Sequence, residues 1–322
     1  MPARPRQVFG IDIGGTKCAV SVLRANGDVH EFHRFPTRGP EATLDEIALA
    51  LERNGVGRLP AFGIACGGPL DADRGLVLSP PNLPGWDRVP ITRYFERRFD
   101  GRAFLMNDAN ANALAEWRYG AGRGSQSMIF LTAGTGMGGG IVLGGQLIAG
   151  ACGNAGEVGH LRLAPRGPVG FNKAGSFEGF CSGGGVAQLV RFLPASSRPR
   201  NLRAWMHAHP TARDLALAAR RGDPTAQAIF AESGRRLGQA LALLIDTLNP
   251  ERIVIGSLWL RCRDLLEPEM RRILKAEALP DSLRACRIVS ARLGERLGNY
   301  GAVCAALHGL GRLALPLNLS SR

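Results

Sequence analysis

Apolar segments separated by tight turns predict an antiparallel strand meander at the start of the chain. A Gly-Gly dipeptide at 14–15 and an Asn-Gly dipeptide at 26–27 divide this region, and both are typical of hairpin turns. The segments between them are rich in β-branched and aromatic residues, as strands are. The predicted strands are 8–13, 17–23 and 29–35.

Helical and strand patterns then alternate. Apolar residues recur at helical spacing over 41–54, and the short apolar run 61–65 is typical of a buried strand. A further short strand is predicted over 102–106. Asp108 lies where the next helix, running to about residue 120, is predicted to begin.

The opening pattern returns in the middle of the chain. Residues 127–149 again read as strand, glycine-rich turn and strand, so an internal duplication is predicted at the level of pattern. The glycine-rich stretch 150–185 is predicted to be irregular. Beyond it we predict helices over 224–247 and 297–315, with a strand at 252–257. Mixed strands and helices over 322 residues predict an α/β protein of two lobes with a cleft between them.

The composition is unusual in its net charge. The formal net charge is +13, which indicates a polyanion partner when it is clustered. Only Lys17, Lys173 and Lys275 are lysines, and the arginines are spread along the chain without a dense run. We interpret the charge as a diffuse basic surface and expect no nucleic-acid partner, with a nucleic-acid binder kept as a rival hypothesis.

The cysteines and the apolar segments indicate the cellular compartment of the protein. Seven cysteines without a CxxC pair are typical of reduced thiols, and the segment MPARPRQ lacks the apolar core of a signal peptide. No stretch approaches the roughly 18 apolar residues that a membrane helix needs. We therefore expect a cytoplasmic protein without a membrane partner.

A carboxylate and two glycines occupy the first hairpin turn. Glycines allow positive φ angles and present backbone N–H groups to an anion, and a carboxylate beside them can hold Mg²⁺ through water. The alternative is an ordinary hairpin turn. The candidate phosphate-binding residues are Asp12, Gly14, Gly15, Thr16 and Lys17, with Asp12 as the candidate Mg²⁺ residue.

A second glycine-rich turn begins after the strand at 127–132. Its spacing matches GxGxxG, so a dinucleotide site is one interpretation. These glycines lead into another strand, however, whereas a Rossmann turn opens a helix. We therefore predict a second phosphate-binding turn, whose candidates are Thr132, Gly134, Thr135 and Gly136.

Asp108 and a group of carboxylates with a histidine are the remaining candidates for chemistry. Asp108 could simply cap a helix; between two phosphate-binding turns, a carboxylate suits the base of phosphoryl transfer. Glu157, His160 and Glu178 offer acceptors and donors for sugar hydroxyls. A metal site for Glu157 and His160, or a purely structural role for His160, is the alternative.

Taken in order, these segments resemble the ROK family of sugar kinases and sugar-responsive repressors, within the actin, Hsp70 and hexokinase superfamily. The resemblance implies the two-lobed actin-like ATPase (ribonuclease H-like) fold with a ligand cleft between the lobes. It implies a small lobe of 1–107 completed by the helix at 299–322, and a large lobe of 108–298. The segments that carry it are DIGGTK at 12–17, NDANA at 107–111, LTAGTGMGGGIV at 131–142, AGEVGH at 155–160 and RIVIGS at 252–257.

The resemblance also implies an activity: phosphorylation of a hexose at the 6-hydroxyl by ATP and Mg²⁺, with Asp108 as the base. Glucose is the first choice; N-acetylmannosamine, N-acetylglucosamine, fructose and allose stay open, as does polyphosphate as donor. A non-catalytic sugar sensor is the alternative of another class, and a homodimer is expected. The implied sugar-binding residues are Gly68, Asn82, Asn107, Asp108, Glu157, His160 and Glu178, and Gly256 lies before the implied adenosine pocket.

Two departures from the family pattern are informative. Many relatives bind structural zinc through the histidine of ExGH and three cysteines, whose positions correspond here to Val169, Phe171 and Ser176. We therefore expect no structural zinc, and an apolar cluster of Val169, Phe171 and Phe177 in its place. Repressor relatives carry a helix-turn-helix domain before DIGGTK, and eleven residues precede Asp12, so no such domain is expected.

Overall fold

The structure, a computed structural model, describes residues 7–134, 136–193 and 202–313. Its strands are β1 (Val8–Ile13), β2 (Lys17–Leu23), β3 (Val29–Pro36), β4 (Ala61–Cys66), β5 (Leu70–Asp71), β6 (Leu76–Val77), β7 (Val89–Pro90), β8 (Arg102–Asn107), β9 (Met128–Ala133), β10 (Met137–Leu143), β11 (Gln146–Leu147), β12 (Val169–Gly170), β13 (Lys173–Ala174), β14 (Arg252–Ile255) and β15 (Arg287–Ser290). Its helices are α1 (Pro40–Arg53), α2 (Ile91–Phe99), α3 (Asp108–Tyr119), α4 (Phe177–Cys181), α5 (Gly183–Gln188), α6 (Leu202–Ala208), α7 (Ala212–Arg220), α8 (Pro224–Leu248), α9 (Leu258–Glu277), α10 (Pro280–Ala285) and α11 (Leu297–Gly309).

The described chain forms two compact units. The first comprises the described residues of Met1–Gly124, Gly145–Ala155 and Arg292–Arg322. The second comprises those of Ser125–Gly144 and Gly156–Ala291. The lobe boundary that the sequence predicts, between residues 107 and 108, stays a prediction.

The first unit is built on a sheet with the strand order β3-β2-β1-β4-β8. The three strands β1, β2 and β3 are antiparallel neighbours, as the turn dipeptides predict, whereas β4 and β8 run parallel to β1. Apolar side chains of these strands pack with α1 and α2 in one core that includes Phe9, Ile47, Phe62 and Phe95. The carboxyl ends of β1, β4 and β8 therefore lie at one edge of the sheet.

The last helix, α11, completes the first unit. It packs against β1, β4 and α3. Its backbone approaches the sheet closely because Gly63 of β4 has no side chain; a Cβ there would overlap the Ala302 carbonyl. The sequence predicted this helix to residue 315, but it ends at Gly309 and a turn follows; residues 314 and 315 lie outside the described part of the chain.

The second unit repeats the sheet topology of the first. The strands β10 and β9 form an antiparallel hairpin, and β14 and β15 extend it in parallel in the order β10-β9-β14-β15. The four-strand order β2-β1-β4-β8 of the first unit has the same directions. This agrees with the internal duplication that the sequence pattern predicts.

Helix α8 organises the helical layer of the second unit, packing against α4, α7 and α9. Its limits follow from local chemistry. The Asp223 side chain accepts a hydrogen bond from the Ala226 N–H, Pro224 needs no partner at the first turn, and Asn249 ends the helix in the left-handed region. These bounds confirm the helix predicted over 224–247, with one more residue at its end.

Most of 150–185 is irregular, as predicted, but short helices and strands occupy parts of it. The elements β12, β13, α4 and α5 lie there, each of six residues or fewer. Serine side chains begin both helices: Ser176 accepts from the Gly179 N–H, and Ser182 accepts from the Gly185 N–H. These capping serines stabilise short helices in spite of the glycine content. Among the described residues, no helix is long and apolar enough to cross a membrane.

Candidate active site

The candidate residues of the first unit lie at the carboxyl edge of its sheet. The strands β1, β4 and β8 are parallel, and Ile13, Cys66 and Asn107 stand opposite one another in register. The residues at these strand ends therefore meet at one edge, where α/β proteins bind ligands. Asp12 lies near the end of β1, and Asp108 directly follows β8.

Asn107, not Asp108, caps helix α3. Its Oδ1 accepts hydrogen bonds from the N–H groups of Ala109 at 2.9 Å and Asn110 at 3.3 Å. The Oδ1 of Asp108 accepts a second bond from Ala109 N–H at 2.7 Å, which fixes the carboxylate at the first helical position. A Cβ built on Gly67 would lie 3.9 Å from the Asp108 Oδ2. One carboxylate oxygen is thus held by the helix and the other faces the loop after β4.

Burial changes the acidity of both aspartates. It raises the pKa of Asp108 above its ordinary value of 3.8 and outweighs the opposing backbone hydrogen bonds, from Ala109 first. Burial first, and the negative charge of Asp108 second, raise the pKa of Asp12 to about 6. Lys17 and Arg34 act in the opposite direction on Asp12. Two carboxylates that interact in a half-buried place favour a bound cation or a bound proton, because either one reduces their repulsion.

The loop after β4 brings the sugar-binding candidates of this unit together. A Cβ on Gly67 would lie 3.5 Å from the Asn82 Nδ2, and one on Gly68 would lie 3.6 Å from the Asn107 Nδ2. Small residues here leave space beside Asp108, bordered by the amides of Asn82 and Asn107. These amides supply the donors and acceptors that hydroxyl groups need.

The first glycine turn is tight for a different reason from the one that the sequence suggested. The Gly14 N–H donates to the Lys17 carbonyl at 3.1 Å, and neither Gly14 nor Gly15 has a positive φ angle. Instead, a Cβ on Gly15 would lie 2.7 Å from the Asn82 carbonyl oxygen. Gly15 is therefore required for close approach. Thr16 and Lys17 beside it are exposed, so they are accessible to a ligand.

Gly15→Ala should lower kcat/KM for the sugar phosphorylation that the sequence resemblance implies by about 10- to 100-fold. Relieving the overlap costs on the order of 1–3 kcal/mol, and it moves the turn away from Asn82. Gly39→Ala is the matched control, since a Cβ there meets nothing within 4 Å. Both changes alter the entropy of the unfolded chain alike. Steady-state kinetics and thermal melts compare the two variants. Equal kcat/KM values would contradict the claim that Gly15 is required for the close approach of the turn to Asn82.

The second glycine turn joins β9 to β10, which confirms that strand, not helix, follows it. The Gly134 carbonyl accepts a hydrogen bond from the Gly183 N–H at 2.9 Å. Thr132 and Ser257 share a hydrogen bond of 2.8 Å between their hydroxyls. Gly256 lies beside them, its N–H donating to the Leu131 carbonyl at 2.8 Å. Thr135, predicted to bind phosphate, lies outside the described residues.

Glu157 and His160 lie on one helical turn, the 3₁₀ turn Val158–His160 and its N-cap. The glycines of this segment let it lie against β10: a Cβ on Gly159 would lie 2.6 Å from the Met137 carbonyl. Glu157 is exposed and His160 is half-buried, so both side chains are accessible.

Glu178 ties the first turn of α4 to the second glycine turn. Its Oε2 accepts a hydrogen bond from the Met137 N–H at 2.8 Å, next to Gly136, where a Cβ would lie 3.0 Å from the same oxygen. Glu178 thus has a structural contact that sequence reasoning did not include. Its predicted sugar contact stays a prediction.

The apolar cluster expected in place of a zinc site does not form. Val169 and Phe171 are 45% and 56% exposed, whereas Phe177 is fully buried in α4. Phe171 lies in a two-residue turn between β12 and β13, in which it and Asn172 both have positive φ angles. Such a turn directs the Phe171 side chain away from the core, which the sequence pattern could not show.

A cavity of about 710 Å³ opens beside the second glycine turn. Its size suits a small molecule such as a nucleotide. Three arginines contribute to its wall, and Arg220 is held by two hydrogen bonds of 2.8 Å to Asp264. The lining includes Ala133, Gly134, Gly183, Thr211, Arg213 and Arg261.

The family model for the ROK family matches residues 8–308. The chain belongs to the ROK family. It is 33% identical to the glucokinase of Streptomyces coelicolor over 306 residues, which cover 91% of this chain and 95% of that protein. It is also 33% identical over 252 residues to an Escherichia coli N-acetylmannosamine kinase, covering 77% of this chain and 81% of that one.

A solved ROK structure has the same fold. The Streptomyces griseus ROK glucokinase in complex with glucose and AMPPNP superposes with a TM-score of 0.73 and 31% identity, covering 94% of this chain and 100% of that one. Together with the mixed strands and helices, this confirms the predicted two-lobed actin-like ATPase fold of the ROK family.

Sequence reasoning missed several residues of this ROK protein. Ser257 has φ 54° without being a glycine, and such strain is concentrated at functional sites. Arg213 and Arg261 line the cavity from different helices, so no sequence spacing connects them. Lys173 donates to the His160 carbonyl, but in the sequence it was considered only as one of three lysines.

Proposed function

We propose that this protein transfers the γ-phosphoryl group of ATP to the 6-hydroxyl of a hexose, with glucose as the preferred acceptor. The observation that carries the proposal is the setting of Asp108, a half-buried carboxylate at the sheet edge beside Asn82 and Asn107. The glucokinase relatives support a sugar kinase. Both glycine turns predicted for phosphate are present as strand-to-strand turns.

Asp108 would act as the general base. Its carboxylate would accept the proton of the hexose 6-hydroxyl while that oxygen forms a bond to the γ-phosphorus. The bond from the γ-phosphorus to the bridging oxygen of ADP breaks, and ADP leaves with the electron pair. The α3 N-terminus favours the negative charge of the base before it takes the proton.

The first unit offers a place for Mg²⁺ bound with ATP. Asp12 carries a pKa raised to about 6 by burial and by Asp108, and an anionic pair of this kind is stabilised by a hard cation with oxygen ligands. The chemistry that Mg²⁺ supplies is neutralisation of charge on the phosphates. Asp12 would hold it through water, and Lys17 and Thr16 would contact phosphate.

The cavity of the second unit is the proposed adenosine site. Gly134 and Gly183, which have no side chains, line the cavity next to the glycine turn, and the Gly256 N–H donates to Leu131 in the strand before that turn. ATP rather than polyphosphate is proposed as the donor, because a nucleoside needs a cavity of this size and a linear polyphosphate does not. Isothermal titration with ADP and with polyphosphate would compare the two directly.

The acceptor is tested with a panel of hexoses. Glucose, N-acetylmannosamine, N-acetylglucosamine, fructose and allose are each mixed with the protein, ATP and Mg²⁺, and ADP release is followed. We expect the highest kcat/KM with glucose. A higher kcat/KM with N-acetylmannosamine would support the proposed phosphoryl transfer but change its substrate, in line with the similarity to the N-acetylmannosamine kinase.

The pH dependence of kcat/KM should show an acidic limb to which Asp108 contributes. Its pKa lies above 3.8 because of burial, and a general base must be ionised. Activity therefore rises with pH through this raised pKa and reaches a plateau above it. Profiles measured within the pH range in which circular dichroism shows the fold intact will test this; a profile that stays flat down to about pH 4 would contradict it.

A further inference from the structure

The segment between His160 and Glu178 carries two proposed sugar contacts, yet it has little regular structure. Only the two-residue strands β12 and β13 lie within it. Such a segment loses conformational entropy when it orders, so definite contacts have to hold it. The described contacts show which residues do so.

Lys173 makes the contact nearest to the sugar candidates. Its Nζ donates a hydrogen bond of 2.7 Å to the backbone carbonyl of His160. The lysine is half-buried, so this charge-assisted bond is partly shielded from water. The bond ties the β12–β13 hairpin to the turn that carries Glu157 and His160.

Gln188 holds the other end of the hairpin. Its Oε1 accepts from the Val169 N–H at 2.9 Å, and its Nε2 donates to the Val169 carbonyl at 2.9 Å. A side-chain amide that satisfies both backbone groups of one residue imitates a neighbouring strand. The hairpin is thereby attached to helix α5.

The two ends of the hairpin place Phe171 against His160. Their rings meet edge to face, with centroids 5.2 Å apart. Phe171 has φ 40°, which is a strained value for a bulky side chain. Strain of this kind persists only where surrounding contacts enforce it, and here Lys173 and Gln188 lie on either side.

Structural zinc, which the family pattern implies, does not fit these residues. A closed zinc site needs four nitrogen, sulfur or carboxylate ligands in a tetrahedron. Of the four corresponding positions, Val169 and Phe171 have no donor atom, and the Ser176 hydroxyl caps α4 through the Gly179 N–H at 3.1 Å. Only His160 remains as a ligand.

We propose that Lys173 and Gln188 form a metal-free clip that holds the His160 turn in its sugar-binding position. Lys173 is then a positioning residue that acts through the His160 backbone. The clip would hold this segment in place, as structural zinc would in zinc-binding relatives. The effect on sugar binding rests on the proposed function, whereas the order of the segment does not.

The variants Lys173→Met, Lys173→Arg and Gln188→Leu test the clip, with Lys275→Met as the matched control, because Lys275 is an exposed lysine on α9. Methionine keeps the aliphatic length and removes the donor. We expect Lys173→Met to raise the Kd and KM for the hexose about tenfold or more, since a hydrogen bond from a charged group is lost. The kcat and the Kd for ADP should change by less than about threefold, and Lys173→Arg should restore most of the affinity.

The rate of amide hydrogen exchange, measured in the sugar-free protein, tests the clip independently of activity. Lys173→Met and Gln188→Leu should speed exchange across 160–176, and Lys275→Met should not. Unchanged exchange in both clip variants would overturn the proposal even if a hexose is phosphorylated. If no hexose is phosphorylated, faster exchange would still support the clip and count only against the function.

Zinc content completes the test. We expect no stoichiometric zinc by elemental analysis, and unchanged exchange across 160–176 after treatment with a zinc chelator. One zinc per chain whose removal loosens this segment would overturn the proposal.

Discussion

Asp108→Asn should lower kcat by about 10²- to 10⁴-fold, which is the usual contribution of a general base. Asparagine keeps the size of the side chain and one oxygen for the Ala109 N–H, but it cannot take the proton of a hydroxyl. Hexose affinity should change little, because Asn82 and Asn107 remain. Steady-state kinetics and isothermal titration with the preferred hexose measure the two quantities separately.

Asp73→Asn is the control for this variant, since Asp73 is an exposed aspartate in the turn between β5 and β6. It should leave kcat and KM unchanged. In what remains of the Asp108→Asn activity, the acidic limb should lose the contribution of Asp108 and keep that of Asp12, whose pKa is raised to about 6. A variant at Asp108 with near-native kcat would remove this residue from the proposed role.

Asp12→Asn should change both activity and stability, in opposite directions. Loss of a carboxylate near Mg²⁺ is expected to lower kcat/KM about 10- to 100-fold. The folded state should become more stable at neutral pH, by up to about 3 kcal/mol, because the pKa of Asp12 is raised from 3.8 to about 6.

The direction of the stability change depends on whether the folded state favours the protonated or the ionised form of the Asp12 carboxyl. A raised pKa means that folding favours the protonated carboxyl, so the stability contributed by Asp12 is complete below pH 3.8 and is lost as the pH rises through about 6. The variant should therefore gain most above this pH and least below pH 3.8. Denaturant titrations without Mg²⁺ at two pH values measure the difference; equal gains at both would contradict the linkage.

Local chemistry in the sequence was sufficient for the elements that frame the site. The Asn26-Gly27 turn fixed a hairpin, and Asp223-Pro224 with Asn249 fixed both ends of α8. Asp12 lies near the end of one buried strand and Asp108 follows another, so their position at one sheet edge could be expected once β1 and β8 were known to be parallel to β4.

Contacts between distant parts of the chain could not be read from the sequence. Gly15 is required by the backbone of Asn82, not by its own φ angle. The Glu178 bond to Met137 and the Lys173 bond to His160 depend on how short loops pack. Phe171 was expected to be buried, but turn geometry leaves it exposed. Apolar character does not determine burial in a hairpin turn.

The central claim is phosphoryl transfer from ATP to a hexose 6-hydroxyl, and the products of that reaction test it most directly. The protein, ATP, Mg²⁺ and glucose are incubated, and the mixture is followed by ³¹P and ¹³C nuclear magnetic resonance. The account predicts glucose 6-phosphate and ADP in equal amounts, with phosphorus coupling at carbon 6. ATP cleavage to ADP and free phosphate without any sugar phosphate, for glucose and for every hexose of the panel, would contradict it.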